Sequence, residues 1–150
     1  MVVQDADHTP GLGAFVGEIH AAIGLALNCV GYVSNGAVRD LPAVKSMGFH
    51  LFAGSVVASH AYAHVVEFGG PVEVGGLKIL PGDLVHGDLH GVHTIPLSIA
   101  SEIPKVASQI RREEQGMVMF CRSADFSLRG LSERLQQASS DVVNKAEQEH

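Results

Sequence analysis

Arg39 and Asp40 stand side by side, a permanent cation next to a carboxylate. A guanidinium presents a planar fork of donors that matches a carboxylate, and one carboxylate can anchor a hard divalent cation that keeps several waters. Upstream, Gly17-Glu18-Ile19-His20 follows a glycine-bearing loop. If a helix starts there, the backbone amides of its first turn lack internal acceptors and can hold an anion without any charged side chain. Gly17 would let a ligand approach the chain closely. These residues together suit a small anion held by amides and Arg39, with a cation at Asp40. The plainer alternative is an Arg39-Asp40 pair that only caps the following helix, and residue types alone leave it open.

Other candidates carry less. Gly11, Gly13 and Gly17 lie between a predicted strand and helix, as in a dinucleotide-binding turn, but the third glycine falls one residue late. The next strand ends in Ser34-Asn35 rather than an acid for a ribose. His60 and His64 are four apart and would share a helix face. His86, Asp88 and His90 alternate and would share a sheet face. Neither set has a third ligand at a recognisable spacing, and His60, His64 and His93 read as ordinary partly buried or surface histidines. Cys29 and Cys121 form no CxxC pair and read as two buried reduced thiols.

The elements that must position these residues follow from periodicity. Val2-Val3 opens a strand that ends near Asp5, and Thr9-Pro10-Gly11-Leu12-Gly13 is a loop. Phe15, Ile19, Ala22, Ile23 and Ala26 recur at three- and four-residue spacing, which predicts a helix from about Ala14 to Leu27 with that stripe inward. Val30 to Ser34 reads as a buried strand and Asn35-Gly36 as a turn that delivers Arg39-Asp40. A short helix over Leu41 to Met47 closes at Gly48, and His50 to Val57 is again a strand. Val72-Glu73-Val74, Gly75-Gly76 and Leu77-Lys78-Ile79 form a hairpin signal. Leu84 to His86 and Gly91 to Ile95 add strands that pack with it. Ser101 is placed to cap a helix with Pro104 in its first turn and Gly116 at its end, after which Val118 to Cys121 would form an edge strand. Leu131, Leu135, Ala138 and Val142 make the tail from Leu128 an amphipathic helix.

Composition narrows the function. A net charge of -6 with ten Lys and Arg, no Trp and few aromatics does not suit a polyphosphate backbone or a base-stacking surface, so no nucleic-acid partner is expected. No apolar run reaches the length of a membrane span and no leader is evident, so no membrane partner is expected and the expected location is the cytoplasm.

Gly17-Glu18, twenty intervening residues, then Asn35-Gly36-Ala37-Val38-Arg39-Asp40 resembles the signature of the family that contains 4-hydroxy-4-methyl-2-oxoglutarate aldolases and the regulator of ribonuclease activity A. A second stretch agrees in order and spacing: Gly69-Gly70-Pro71-Val72 to Gly75-Gly76, Leu80 to Asp88, and His90-Gly91-Val92 to Ile95-Pro96. The resemblance runs from about Val2 to Gly116. It implies an α/β fold of the swivelling β/β/α type with a mixed sheet and C-terminal helices, with residues 1–123 as the family domain and 124–150 as a helical tail. The match starts at the strand before the signature, so the family's N-terminal part is expected to be missing.

By that resemblance the chain is a metal-dependent lyase that cleaves a C–C bond of a 2-oxo acid to give pyruvate, as in aldol cleavage or oxaloacetate decarboxylation. Gly17, Glu18, Ile19 and His20 would donate amides to the substrate carboxylate. Arg39 would contact its carboxylate and keto oxygens, and Asp40 would anchor magnesium, with manganese the second choice. Metal and Arg39 would then stabilise the pyruvate enolate. Glu18 stands where several members carry a shorter acid and would position a water for proton exchange; its bland counterpart is a solvated glutamate in a first turn. The family also implies a homotrimer. The rival reading is a non-catalytic module that regulates a ribonuclease or another partner by docking.

Overall fold

The computed structural model describes residues 1–148, with side chains described as far as Ser139 in the last helix. Two compact units are present, Met1–Ser98 and Ile99–His150.

In the first unit, β1 (Val2–Val3), β2 (Ala14–Val16), β3 (Gly31–Val38) and β4 (His50–Val56) form a parallel sheet. β4 follows one edge of β3, from Gly31 opposite His50 to Val38 opposite Val56. The other edge is shared end to end: β1 pairs at Val33 and Ser34, and β2 pairs at Ala37 and Val38. Asn35-Gly36 is therefore no turn but the middle of β3. Side chains fill the gap between the two short strands. Asp5 N–H donates to Asn35 Oδ1 (2.7 Å), Asn35 Nδ2 donates to the Asp5 carbonyl (2.9 Å), and Gly36 N–H donates to the Ser34 hydroxyl (2.9 Å). These bonds satisfy buried backbone where the ladder is interrupted, which is why the strand carries on.

Helix α1 (Glu18–Ala26) links β2 to β3, and α2 (Leu41–Ser46) links β3 to β4. The predicted helix from Ala14 is corrected: Ala14–Val16 is strand, because Ala14 N–H donates to the Ser59 carbonyl (2.9 Å) and the Ala14 carbonyl accepts from Ala61 N–H (3.0 Å). The expected inward stripe is corrected too. α1 buries Ala21 and Gly24, whereas Ile19 and Ile23 are 71% and 52% exposed. Phe49 explains the choice, since a Cβ on Gly24 would lie 3.0 Å from its Cε2. The core joins Val16, Ala21, Tyr32, Val38, Val44 and Phe49. Gly48, at φ 74°, closes the α2 segment as expected.

β5 (Val72–Val74) and β6 (Leu77–Ile79) form the expected hairpin, with Gly75 and Gly76 at φ 59° and 81°. β7 (Leu84–Asp88) pairs antiparallel with β8 (Gly91–Ile95). The two hairpins are separate two-stranded sheets rather than one continuous layer. Parallel and antiparallel pairing with flanking helices give an α/β fold with strands of both senses.

The second unit holds α3 (Ile103–Cys121) and α4 (Leu128–Gln148). Val118 to Cys121 is helix, not an edge strand, and Gly116 is passed rather than used as a stop. Phe120 accounts for the extension: its ring packs on Phe126 (centroids 5.8 Å), and the Arg134 guanidinium lies 4.3 Å above it. These contacts tie α3 to α4, so the division falls after Ser98 instead of after residue 123. Ser101 makes no cap, the position before α3 being Glu102. The expected contribution of the Val142 side chain lies outside the described residues. Both cysteines are free thiols, but Cys29 is half-buried and Cys121 exposed, so neither is buried as expected.

Candidate functional site

Two chain reversals at the same end of the sheet create the site. β2 runs into α1 at Gly17, and β3 runs into α2 at Arg39-Asp40. Because β2 and β3 are parallel neighbours paired at Val16 and Val38, the two junctions lie side by side. Arg39 N–H donates to the Val16 carbonyl (3.0 Å), which locks them together.

Asp40 occupies the cap position of α2 with φ 58° and ψ 33°, the left-handed region that a non-glycine residue rarely adopts. Its side chain makes no cap bond to α2. Instead Asp40 Oδ2 accepts from Glu18 N–H at 3.1 Å, the first amide of α1, and lies 3.7 Å from Arg39 Nε. The plain expectation of a pair that caps its own helix is thereby replaced: the carboxylate crosses to the neighbouring helix. Arg39 and Asp40 side chains are 34% and 38% exposed, so their ion pair adds well under about 1 kcal/mol to stability and remains open to exchange with a ligand.

The first helical bond of α1 runs from Ala21 N–H to the Gly17 carbonyl (3.0 Å). The amides of Ile19 and His20 therefore precede any acceptor within the helix. Gly17 is buried beneath the side chains of the other junction. A Cβ there would run into Asp40 Oδ2 and lie 3.0 Å from Arg39 Cγ and Nε. The structure thus gathers Gly17, Glu18, Ile19 and His20 with Arg39 and Asp40. The His20 ring turns to Phe15, with centroids 5.1 Å apart.

The donor set tells which cation would fit. Among the described residues no three His, Cys, Asp or Glu side chains converge as a cage. The site itself offers one carboxylate, with Oδ2 already on an amide, which suits a hard ion that keeps most of its waters and does not suit zinc.

The histidines stand apart. His60 and His64 lie in a loop rather than on a helix face, and His60 Nδ1 is 2.7 Å from the Ala61 carbonyl. Both line a cavity of about 550 Å³ with Asp5, Phe15, Tyr32 and Tyr62; Arg39 and Asp40 are not in its wall. Sequence reasoning missed this cavity, because its walls come from β1, β2, β3 and an irregular segment far apart in the chain. His90 sits in the β7–β8 turn, where its N–H donates to Asp88 Oδ1 at 2.8 Å and its ring lies 3.3 Å from Oδ2. Those backbone and side-chain hydrogen bonds hold the Asp88 carboxyl below its usual range. His86 faces His93 across the hairpin.

Comparison with known proteins places this geometry. The family model described as "RraA-like: Aldolase/RraA" matches residues 1–93. A protein of Halalkalibacterium halodurans, provisionally named 4-hydroxy-4-methyl-2-oxoglutarate aldolase, is 29% identical over 103 residues, 68% of this chain and 49% of that protein. The chain thus spans about half the length of that relative. RraAS2 of Streptomyces coelicolor, described as an unusual member of the RNase ES inhibitor RraA family, superposes with a TM-score of 0.62 at 27% identity. That match covers 79% of this chain and 60% of RraAS2. An uncharacterized protein of Pseudomonas syringae shares the fold with a TM-score of 0.70 at 22% identity, over 91% of this chain and 63% of its own. The fold and the matched residues agree, and the chain belongs to the RraA-like family of aldolases and RraA proteins.

Proposed function

We propose that this chain binds a small 2-oxo acid at the junction of Gly17–His20 with Arg39-Asp40 and cleaves its C–C bond to give pyruvate. The observation that carries the reading is the 3.1 Å bond from Glu18 N–H to Asp40 Oδ2: the start of α1 already holds a carboxylate, with the Arg39 guanidinium beside it. A substrate carboxylate takes the same donors, and Arg39 reaches the adjacent keto oxygen, where negative charge gathers as the bond breaks. Glu18, exposed at the mouth of the site, carries a proton between water and the enolate carbon. Asp40 would hold magnesium, or manganese in its place, and such an ion supplies Lewis acidity toward the keto oxygen. Aldol cleavage of a 4-hydroxy-2-oxo acid and decarboxylation of oxaloacetate both leave the pyruvate enolate, so one site serves either. By the family's pattern the working form is a homotrimer.

The test is pyruvate release from oxaloacetate above the background of free metal. The reading predicts turnover with magnesium that is lost with chelator and lowered at least a hundredfold in Arg39→Ala, as for removal of one donor to a developing oxyanion. A folded chain with no turnover contradicts it. A second reading, a non-catalytic module that docks on a ribonuclease, draws on the outward apolar side chains of α1, Ile19 and Ile23. It predicts capture of an RNA-degrading enzyme that Ile23→Glu abolishes and Arg39→Ala leaves intact.

A further inference from the structure

The same contacts that build the clamp also fill it. Asp40 Oδ2 takes the Glu18 amide at 3.1 Å and sits 3.7 Å from Arg39 Nε, so one oxygen engages two of the donors an incoming carboxylate needs. Asp40 reaches there from a left-handed backbone conformation and leaves its own helix without a side-chain cap. Gly17 has no Cβ that would block the approach. Conformation, missing cap and missing Cβ all serve one placement of one carboxylate.

Resting on the proposed reading of this site, we infer that Asp40 is an internal occupant of the anion clamp, and that a divalent cation opens the clamp by drawing the Asp40 carboxylate away from Glu18. A cation on either oxygen of the Asp40 carboxylate draws charge from Oδ2 and turns the group toward itself, which weakens its hold on the Glu18 amide. Binding of acid and cation is then coupled through Asp40: each removes the competitor or the charge that opposes the other. By linkage, the cation tightens acid binding by the same factor as the acid tightens cation binding. The expected order is cation first, acid second.

Two acids separate this coupling from simple chelation. Pyruvate can bridge a cation through its carboxylate and keto oxygens, whereas acetate has no keto oxygen. The experiment follows the Glu18 amide by ¹⁵N NMR while each acid is titrated with and without magnesium. Three chains are compared: wild type, Asp40→Gly, which suits the positive φ, and Asp40→Asn, which keeps an acceptor without charge. We expect magnesium to tighten both acids in the wild type. Asp40→Gly should bind both about tenfold more tightly than the wild type without the metal, because a clamp occupied roughly nine-tenths of the time loses its competitor. It should also be indifferent to magnesium, with Asp40→Asn intermediate. Coupling seen with pyruvate but not acetate would assign the effect to chelation and overturn the inference. Equal or weaker acid binding by a folded Asp40→Gly would overturn it as well. If neither acid binds any chain under any condition, both the inference and the proposed function fall. Acid binding that follows Asp40 as described, without turnover, would leave this inference standing and remove only the lyase reading.

Discussion

Gly17 has an ordinary extended backbone, φ -138° and ψ -158°, so nothing in its dihedrals demands glycine; the demand comes from the Arg39 and Asp40 side chains that lie over it. Both are flexible and partly exposed. Gly17→Ala should therefore cost the fold little, about 1 kcal/mol in a urea titration, while its methyl fills the approach to the amides and displaces the Arg39 guanidinium, which weakens acid binding at least tenfold. An unchanged affinity would place the ligand elsewhere. Tyr32 supplies a pH test of the core. Burial raises its phenol above the ordinary value of 10.0, offset in part by a hydrogen bond with Ser34. A group whose folded pKa is raised stabilises fully below the unfolded value and loses that contribution as pH rises through the folded one. Stability should thus fall above about pH 10, and Tyr32→Phe should flatten that limb in denaturation curves taken from pH 8 to 11. At this scale the sequence supplied the candidates, Arg39, Asp40 and the Gly17–His20 amides, while residue types alone left open a pair that only caps its own helix. The Asp40 contact with a different helix was illegible, because it depends on β2 and β3 being neighbours.

α1 shows where element-scale reading stops. Its spacing correctly announced a helix, but the inward face was taken from the large side chains, and the sheet accepted the small ones, Ala21 and Gly24. Close packing against Phe49 decides it, and that ring stands just ahead of β4, twenty-five residues later. Phe49→Ala should destabilise the fold by about 3–5 kcal/mol, as for a buried aromatic truncated in a core, and Gly24→Leu should do comparable damage. Asn35-Gly36 misled for a related reason. A pair that favours turns was kept within the strand, at an irregularity in its register with β4, by Asp5, whose backbone bonds Asn35 in both directions and whose Oδ2 also accepts from Gly11 N–H at 2.8 Å. The Gly75-Gly76 hairpin was legible because its turn is wholly local.

For the whole molecule, every residue assigned to the site lies within Met1–Ser98, while α3 and α4 make up the other unit. A chain ended at Ser98 should therefore keep carboxylate binding within about threefold of the full chain; its loss would mean that the helical unit supports the site. The proposed trimer is read by light scattering across a range of concentrations. Family, α/β class and the two motif stretches were visible in the sequence. The boundary between units was not, because it turns on where α3 finds its partner. The central claim is that the site generates a pyruvate enolate, and its most direct test does not require knowing the natural substrate. Pyruvate incubated in D₂O with the chain and magnesium should exchange its methyl protons for deuterium, followed by ¹H NMR. The account predicts exchange above the metal background that Arg39→Ala abolishes and Glu18→Gln slows without loss of binding. Pyruvate that binds the folded chain yet keeps all its methyl protons would contradict it.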